Sequence, residues 1–188
     1  HRIARPVIVV GNLSVGGTGK TPLVIWLATQ LATRGIRPAV ISRGYGGRAT
    51  EFPMLVHANS PAALAGDEPV LIARTIGCPV VIDPDRVAAA NWLVKQNLCD
   101  VIISDDGLQH LALGRDLEIA VITSDRVAGN GFCLPSGPLR ESAGRLKSID
   151  LVISRIQNST LTPHCMDLLS AECARLDSPA MRLPLSAF

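Results

Sequence analysis

The chain has 188 residues, 47% of them apolar and 18% charged, with 18 Lys plus Arg against 16 Asp plus Glu for a net charge of +2. This length suits a single domain with a sizeable core, and the composition excludes disordered and collagen-like chains. So even a charge balance offers no broad polyanion-binding face, and nucleic acid is not an expected partner.

Taken in chain order, short runs rich in Val and Ile alternate with stretches of helical period, the rhythm of an α/β layer fold. Strands are predicted at Pro6 to Val10, Pro38 to Ile41, Pro79 to Ile82, Asp100 to Ile103, Leu117 to Ile122 and Leu151 to Ile153. Their lack of polar alternation points to strands covered on both faces, hence a doubly wound, mostly parallel sheet. A helix is predicted over Lys20 to Arg34, with Leu23, Leu27 and Leu31 on one face and Gly35 as its C-terminal stop. A short helical stretch is predicted at Val70 to Ile76. Asp83 is expected to cap a helix over Pro84 to Lys95, with proline in its first position. Past about Asn158 the pattern weakens to at most one helix, near Met166 to Leu176. Residues 1–157 therefore read as a nucleotide-binding domain and 158–188 as the start of a linker or smaller lobe.

Five cysteines, at Cys78, Cys99, Cys133, Cys165 and Cys173, include no CxxC pair and fit neither a disulfide framework nor a zinc site. Reduced thiols are expected. No apolar run reaches the roughly 18 residues that would span a bilayer. The chain opens on His1 with no signal-peptide pattern, as an excised piece would.

Directly after the first predicted strand stands Gly11-Asn-Leu-Ser-Val-Gly-Gly-Thr-Gly-Lys-Thr21, close to the phosphate-binding pattern GxxxxGK[ST]. Ser14 occupies the first glycine position of that pattern. Gly16, Gly17 and Gly19 still let the backbone around Thr18 turn its N–H groups toward a phosphate chain. Lys20 suits the β- and γ-phosphates, Thr21 suits Mg²⁺, and the helix N-terminus adds its positive dipole end. The expected fold is thus of the P-loop NTPase type, with a nucleoside triphosphate as ligand.

Ligands of such sheets lie beyond the carboxyl ends of the strands, which directs attention to four polar clusters. Asp105 and Asp106 open Asp-Asp-Gly-Leu-Gln-His110, where P-loop proteins hold the metal. His110 suits three roles: orienting a carboxylate, contacting substrate, or structural hydrogen bonding. Ser42-Arg-Gly-Tyr-Gly-Gly-Arg48 carries two phosphate-binding candidates, Arg43 and Arg48, and the single tyrosine, Tyr45; its alternative is a plain surface loop. In Gly66-Asp67-Glu68-Pro69 either acid can cap the helix that follows. Pro135-Ser-Gly-Pro-Leu-Arg-Glu141 reads on its own as a helix entrance.

In one order, VIVVGNLSVGGTGKTP, ISRGYGG, GDEP, DDGLQH, RDLEI and PSGPLRE resemble the tetraacyldisaccharide 4'-kinase family over Val7 to about Val152. That family phosphorylates the 4'-hydroxyl of a lipid disaccharide 1-phosphate. The resemblance implies ATP and Mg²⁺, a lipid disaccharide acceptor, and the cytoplasmic face of a bacterial inner membrane. It implies Asp67 as catalytic base, Lys20 and Thr21 in the phosphate-loop roles, and Asp105 and Asp106 in the metal and catalytic network, with His110 and Glu141 supporting the site. Arg43, Tyr45 and Arg48 are the expected acceptor contacts, and Thr21 and Glu141 join the two aspartates as metal-side candidates. Ser142 stands where the family usually has proline, and Ile153-Ser-Arg where it tends to carry asparagine. The family's N-terminal membrane-associated helix and its C-terminal lobe, with a histidine that pairs with the base, have no counterpart expected here. A rival reading is a P-loop switch of the ParA or metallochaperone type; its signature lysine would stand at Val15. A nucleotide-binding module without catalysis is a third.

Overall fold

In the computed structural model, residues 1–123 and 129–155 are described. The predicted helix near Met166 to Leu176 and the boundary at 158 lie outside them. Contacts within the chain gather into two units, one of residues 1–10 and 21–116, the other built from Gly11–Lys20 and the described residues from Leu117 onward.

The first unit is built on β1 (Val7–Gly11), β2 (Pro38–Ser42), β3 (Met54–Val56), β4 (Val80–Ile82) and β5 (Val101–Asp105), in the order β3-β4-β2-β5-β1. β5 lies parallel between β1 and β2, and β2 is parallel to β4. β2, β4 and β5 are buried at every residue, which is why they show no polar alternation. The short β3, absent from the sequence reading, pairs antiparallel with β4 at the edge. The second unit holds β6 (Leu117–Thr123) and β7 (Leu151–Arg155), parallel to each other. The expected α/β class with mostly parallel strands is what the chain forms.

Helix α1 (Lys20–Thr33) buries Leu23, Val24 and Ala28 most deeply, while Leu27 and Leu31 are half-buried. It ends as predicted at Gly35, whose φ of +77° closes the turn. The Ile36 N–H reaches back to the Leu31 carbonyl and the Gly35 N–H to that of Ala32. A one-turn α2 (Ala62–Ala65) precedes α3 (Asp67–Thr75), which starts three residues earlier than the predicted Val70.

The cap expected of Asp83 belongs instead to Asp85. Helix α4 (Arg86–Lys95) starts two residues later than predicted, and the Asp85 carboxylate accepts the N–H groups of Val87 and Ala88 at 2.9 and 3.1 Å. Asp83 accepts the Asp85 N–H at 2.8 Å, so the first aspartate shapes the turn and the second caps. Burial raises the Asp83 carboxyl above its ordinary value.

Parallel order brings the carboxyl ends of β2, β4 and β5 to one edge of the first unit. Ser42 stands beside Ile82, Ile41 beside Ser104, and the Asp83 N–H bonds to the Ser42 carbonyl. Arg37 and Asp100 close the opposite end, where the guanidinium grips the carboxylate at 2.7 and 3.0 Å.

Candidate functional site

The phosphate-loop segment Gly11–Lys20 takes its shape within the second unit. Ser14 forms a β-bridge with Leu139, the Val15 N–H donates to the Pro138 carbonyl at 2.9 Å, and the Arg140 N–H donates to the Leu13 carbonyl at 2.6 Å. The PSGPLRE segment therefore pairs with the glycine loop through Leu139 and, as its reading as a helix entrance expects, leads into the 3-10 helix Ala143–Ser148. Its pairing also accounts for Ser14: a residue in an extended bridge has no need of glycine. Positive φ falls on Gly16 (+112°) and Gly19 (+90°) instead.

Asn12, which the sequence reading passed over, is fully buried inside the loop. Its amide donates to the Gly16 carbonyl at 3.3 Å and the Thr18 hydroxyl at 3.1 Å, bracing the turn from within. Around it Thr18 and Lys20 are buried, and a Cβ added to Gly16 or Gly17 would meet nothing within 4 Å. Thr21 follows Lys20 in the first turn of α1, a turn with no acidic side chain. A lysine, two threonines and the N–H groups of a helix start around open space are a donor set suited to a polyphosphate and its metal. Val15, at the position where the rival switch proteins carry lysine, is exposed.

In the first unit the DDGLQH turn is held by backbone geometry. Asp105 ends β5 fully buried, and Asp106 leaves the strand with a left-handed φ of +51°. Aspartate tolerates that region better than most residues, and such outliers gather at functional sites. Gly107 follows because nothing larger fits: an added Cβ would stand 2.4 Å from Ser104 Oγ and 3.1 Å from Val9 Cγ1. Arg115 of RDLEI pins the turn, donating to the carbonyls of Leu108 at 3.0 Å, Leu113 at 3.1 Å and His110. Asp116 accepts the Val7 N–H at 2.8 Å and so ties the same stretch to β1.

Arg86, also passed over in the sequence, is the largest fully buried side chain described. Its guanidinium donates to the Asp83 carbonyl at 2.9 Å and the Asp105 carbonyl at 3.5 Å. Burial pulls it down to about 10, against the charges of Asp105 and Asp106, which hold it up. His110 is half-buried, and its imidazole is lowered below its ordinary value by that burial and then by the cations of Arg86 and Arg43. Arg43, Arg86, Asp105, Asp106 and His110 thus share one electrostatic neighbourhood.

GDEP and RGYGG, far apart in sequence, meet as backbones. An added Cβ on Gly47 would stand 2.3 Å from the Leu64 carbonyl oxygen, and one on Gly44 would be 3.2 Å from that of Ala65. The Arg48 and Ala49 N–H groups donate to the Ala63 and Leu64 carbonyls. Asp67 opens α3 at this junction. Its helix takes Gly66 as N-cap, with no side-chain capping bond. Asp67, Arg43, Tyr45 and Arg48 are all exposed around the junction.

Glu141, in the second unit, lies next to the anchored Arg140 and pairs with Arg145 at 3.5 Å. Ser142 takes a φ of −61°, the value proline would impose, so the departure from the family pattern leaves the backbone as it was. Arg145 is raised above its ordinary value by its hydrogen bond to Glu118. Among the described cysteines, Cys78, Cys99 and Cys133 are free, and burial pushes the Cys78 thiol up to about 12. Among the described residues no helix is long and apolar enough to cross a membrane.

The model of the family tetraacyldisaccharide-1-P 4'-kinase matches residues 1–182. A tetraacyldisaccharide 4'-kinase of Alkalilimnicola ehrlichii is 56% identical over 168 residues, 89% of this chain and 50% of that protein. That of Pseudoalteromonas atlantica is 51% identical over 185 residues, 98% of this chain and 61% of that protein. The chain thus spans half to three-fifths of the length of these curated relatives. Among solved structures, LpxK from Aquifex aeolicus in complex with ATP is 32% identical with a TM-score of 0.75, covering 87% of this chain and 53% of that one. Cobyrinic acid a,c-diamide synthase from Mycobacterium smegmatis, 15% identical with a TM-score of 0.51 and covering 97% of this chain and 87% of that one, shares the fold alone. With its phosphate loop, DDGLQH turn and PSGPLRE segment in the order of the family pattern, the chain belongs to the tetraacyldisaccharide-1-P 4'-kinase family.

Proposed function

We propose that this chain is the nucleotide-binding half of a kinase that transfers the γ-phosphoryl group of ATP to the 4'-hydroxyl of a tetraacyldisaccharide 1-phosphate, at the cytoplasmic face of a bacterial inner membrane. The observation that carries the reading is the glycine loop itself, braced by Asn12 and paired with Pro138 to Arg140 so that Thr18 and Lys20 surround an open cradle.

Lys20 and the loop N–H groups bind and orient the triphosphate; phosphoryl transfer depends on positioning and charge neutralisation more than on covalent help from the protein. Mg²⁺, when bound, neutralises charge on the β- and γ-phosphates, and Thr21, Asp105, Asp106 and Glu141 are the residues assigned to its side of the site. Asp67 takes the proton of the acceptor hydroxyl, its place fixed by the Gly66 junction. Arg43, Tyr45 and Arg48, exposed beside it, hold the acceptor, and a guanidinium suits its phosphate. His110, lowered below its ordinary value by burial and by the cations of Arg86 and Arg43, supports the Asp106 turn.

Lys20→Ala in the protein at its native length tests the reading through ATP calorimetry and radiolabel transfer to the lipid acceptor. Loss of both supports it, and wild-type ATP affinity in that variant sinks it.

A further inference from the structure

We propose that Arg145 is a positioning residue that holds the carboxylate of Glu141, the neighbour of the loop-bound Arg140, with the buried Glu118 as its anchor; this rests on the reading of Glu141 as a metal-side carboxylate. Each guanidinium nitrogen has its own partner. Nη2 stands 2.5 Å from Glu118 Oε1, Nη1 donates to Ser148 Oγ at 2.6 Å, and Nε lies 3.5 Å from Glu141 Oε2. Glu118 is fixed in turn, since it is buried on β6 and its N–H donates to Asp150 Oδ2 at 2.8 Å.

Glu141 is thereby held from two directions. On its N-terminal side the Arg140 N–H is fastened to Leu13 of the phosphate loop. On its C-terminal side the short 3-10 helix Ala143–Ser148 returns Arg145 to it four residues later, and the Arg145 N–H bonds the Ser142 carbonyl.

The two distances divide the labour. The short contact binds the cation tightly to Glu118, and the longer one restrains the position of the Glu141 carboxylate. A planar fork can serve both acids at once in a fixed geometry, which the compact ammonium of lysine lacks. A group that orients a metal-side ligand typically changes metal affinity by about 10-fold or more when removed.

The test uses the protein at its native length and measures ATP affinity by calorimetry as Mg²⁺ is titrated, beside thermal melting. Glu141→Gln, Arg145→Met and the double variant Glu118→Gln/Arg145→Met are each expected to need about 10-fold more Mg²⁺ for the same tightening of ATP. ATP affinity without Mg²⁺ should stay unchanged. Arg145→Met alone takes the guanidinium away from the buried Glu118 carboxylate and melts early; the double variant removes that charge, recovers the melting temperature and still needs the extra Mg²⁺. Arg145→Lys gives an intermediate Mg²⁺ requirement. If the double variant recovers melting and Mg²⁺ response together, Arg145 only supports the fold and the proposal is overturned, with Glu141 still assigned by its own variant. If Glu141→Gln itself leaves the Mg²⁺ titration unmoved, the metal-side reading falls and the proposal with it.

Discussion

An added Cβ on Gly66 would stand 2.5 Å from the carbonyl oxygen of Tyr45, so these two residues meet backbone to backbone. Gly66 also holds φ +89° and ψ 154°, a region essentially closed to other residues. Gly66→Ala must therefore strain the chain or push the Arg43 to Arg48 loop away from Asp67. A loss of about 1–3 kcal/mol is expected, read from the urea midpoint at an unchanged m-value, with KM for the acceptor rising more than KM for ATP.

Asp67→Asn separates base from cap. Because α3 takes Gly66 as its N-cap with no side-chain bond, the substitution should leave the melting temperature nearly unchanged. Removing a general base should lower kcat by about 10² to 10⁴ while ATP affinity holds. Unchanged turnover would leave Asp67 without a catalytic role.

Asp100 gives a stability signature in acid. Its carboxyl is held at about 2 by the hydrogen bonds of the Arg37 side chain and then of the Arg37 N–H. A depressed folded value stabilises fully above the unfolded carboxylate range and is lost as pH falls from about 4 through 2. Wild-type urea midpoints should drop across that window, and Asp100→Asn should flatten the drop. Equal slopes would deny the pair its role.

The imidazole of His110 titrates below its ordinary value, so its contribution to stability is present above about pH 6.5 and declines as acid protonates it in the fold. Arg43 is exposed, so Arg43→Ala should fold normally and let the His110 value rise, as followed by imidazole proton shifts in NMR.

Much of this architecture is legible in the sequence for a simple reason. β2, β4 and β5 are buried on both faces, and unbroken Val and Ile runs have few other uses. The Gly35 stop and the glycine loop are equally local signals. What escapes depends on distant partners. Met54–Val56 is three residues long and becomes a strand only against β4. Asp83 and Asp85 both look like caps, and the choice is made by Asp83 accepting the N–H of Asp85. Arginine is almost never fully buried, so nothing in the pattern marks Arg86 as an interior cation. The turn residues of PSGPLRE do lead into the 3-10 helix at Ala143, but its pairing with Ser14 joins residues more than a hundred positions apart and leaves no local mark.

That last pairing has a consequence for how the protein comes into being on the ribosome. The phosphate loop is made more than a hundred residues before the groups that brace Leu13, Ser14 and Val15, which belong to Pro138, Leu139 and Arg140. Contacts that close so long a stretch of chain are entropically slow to form, and they cannot begin until the later residues have emerged. During synthesis the nascent chain therefore carries its glycine loop with only the local Asn12 brace until Pro138 to Arg140 have emerged.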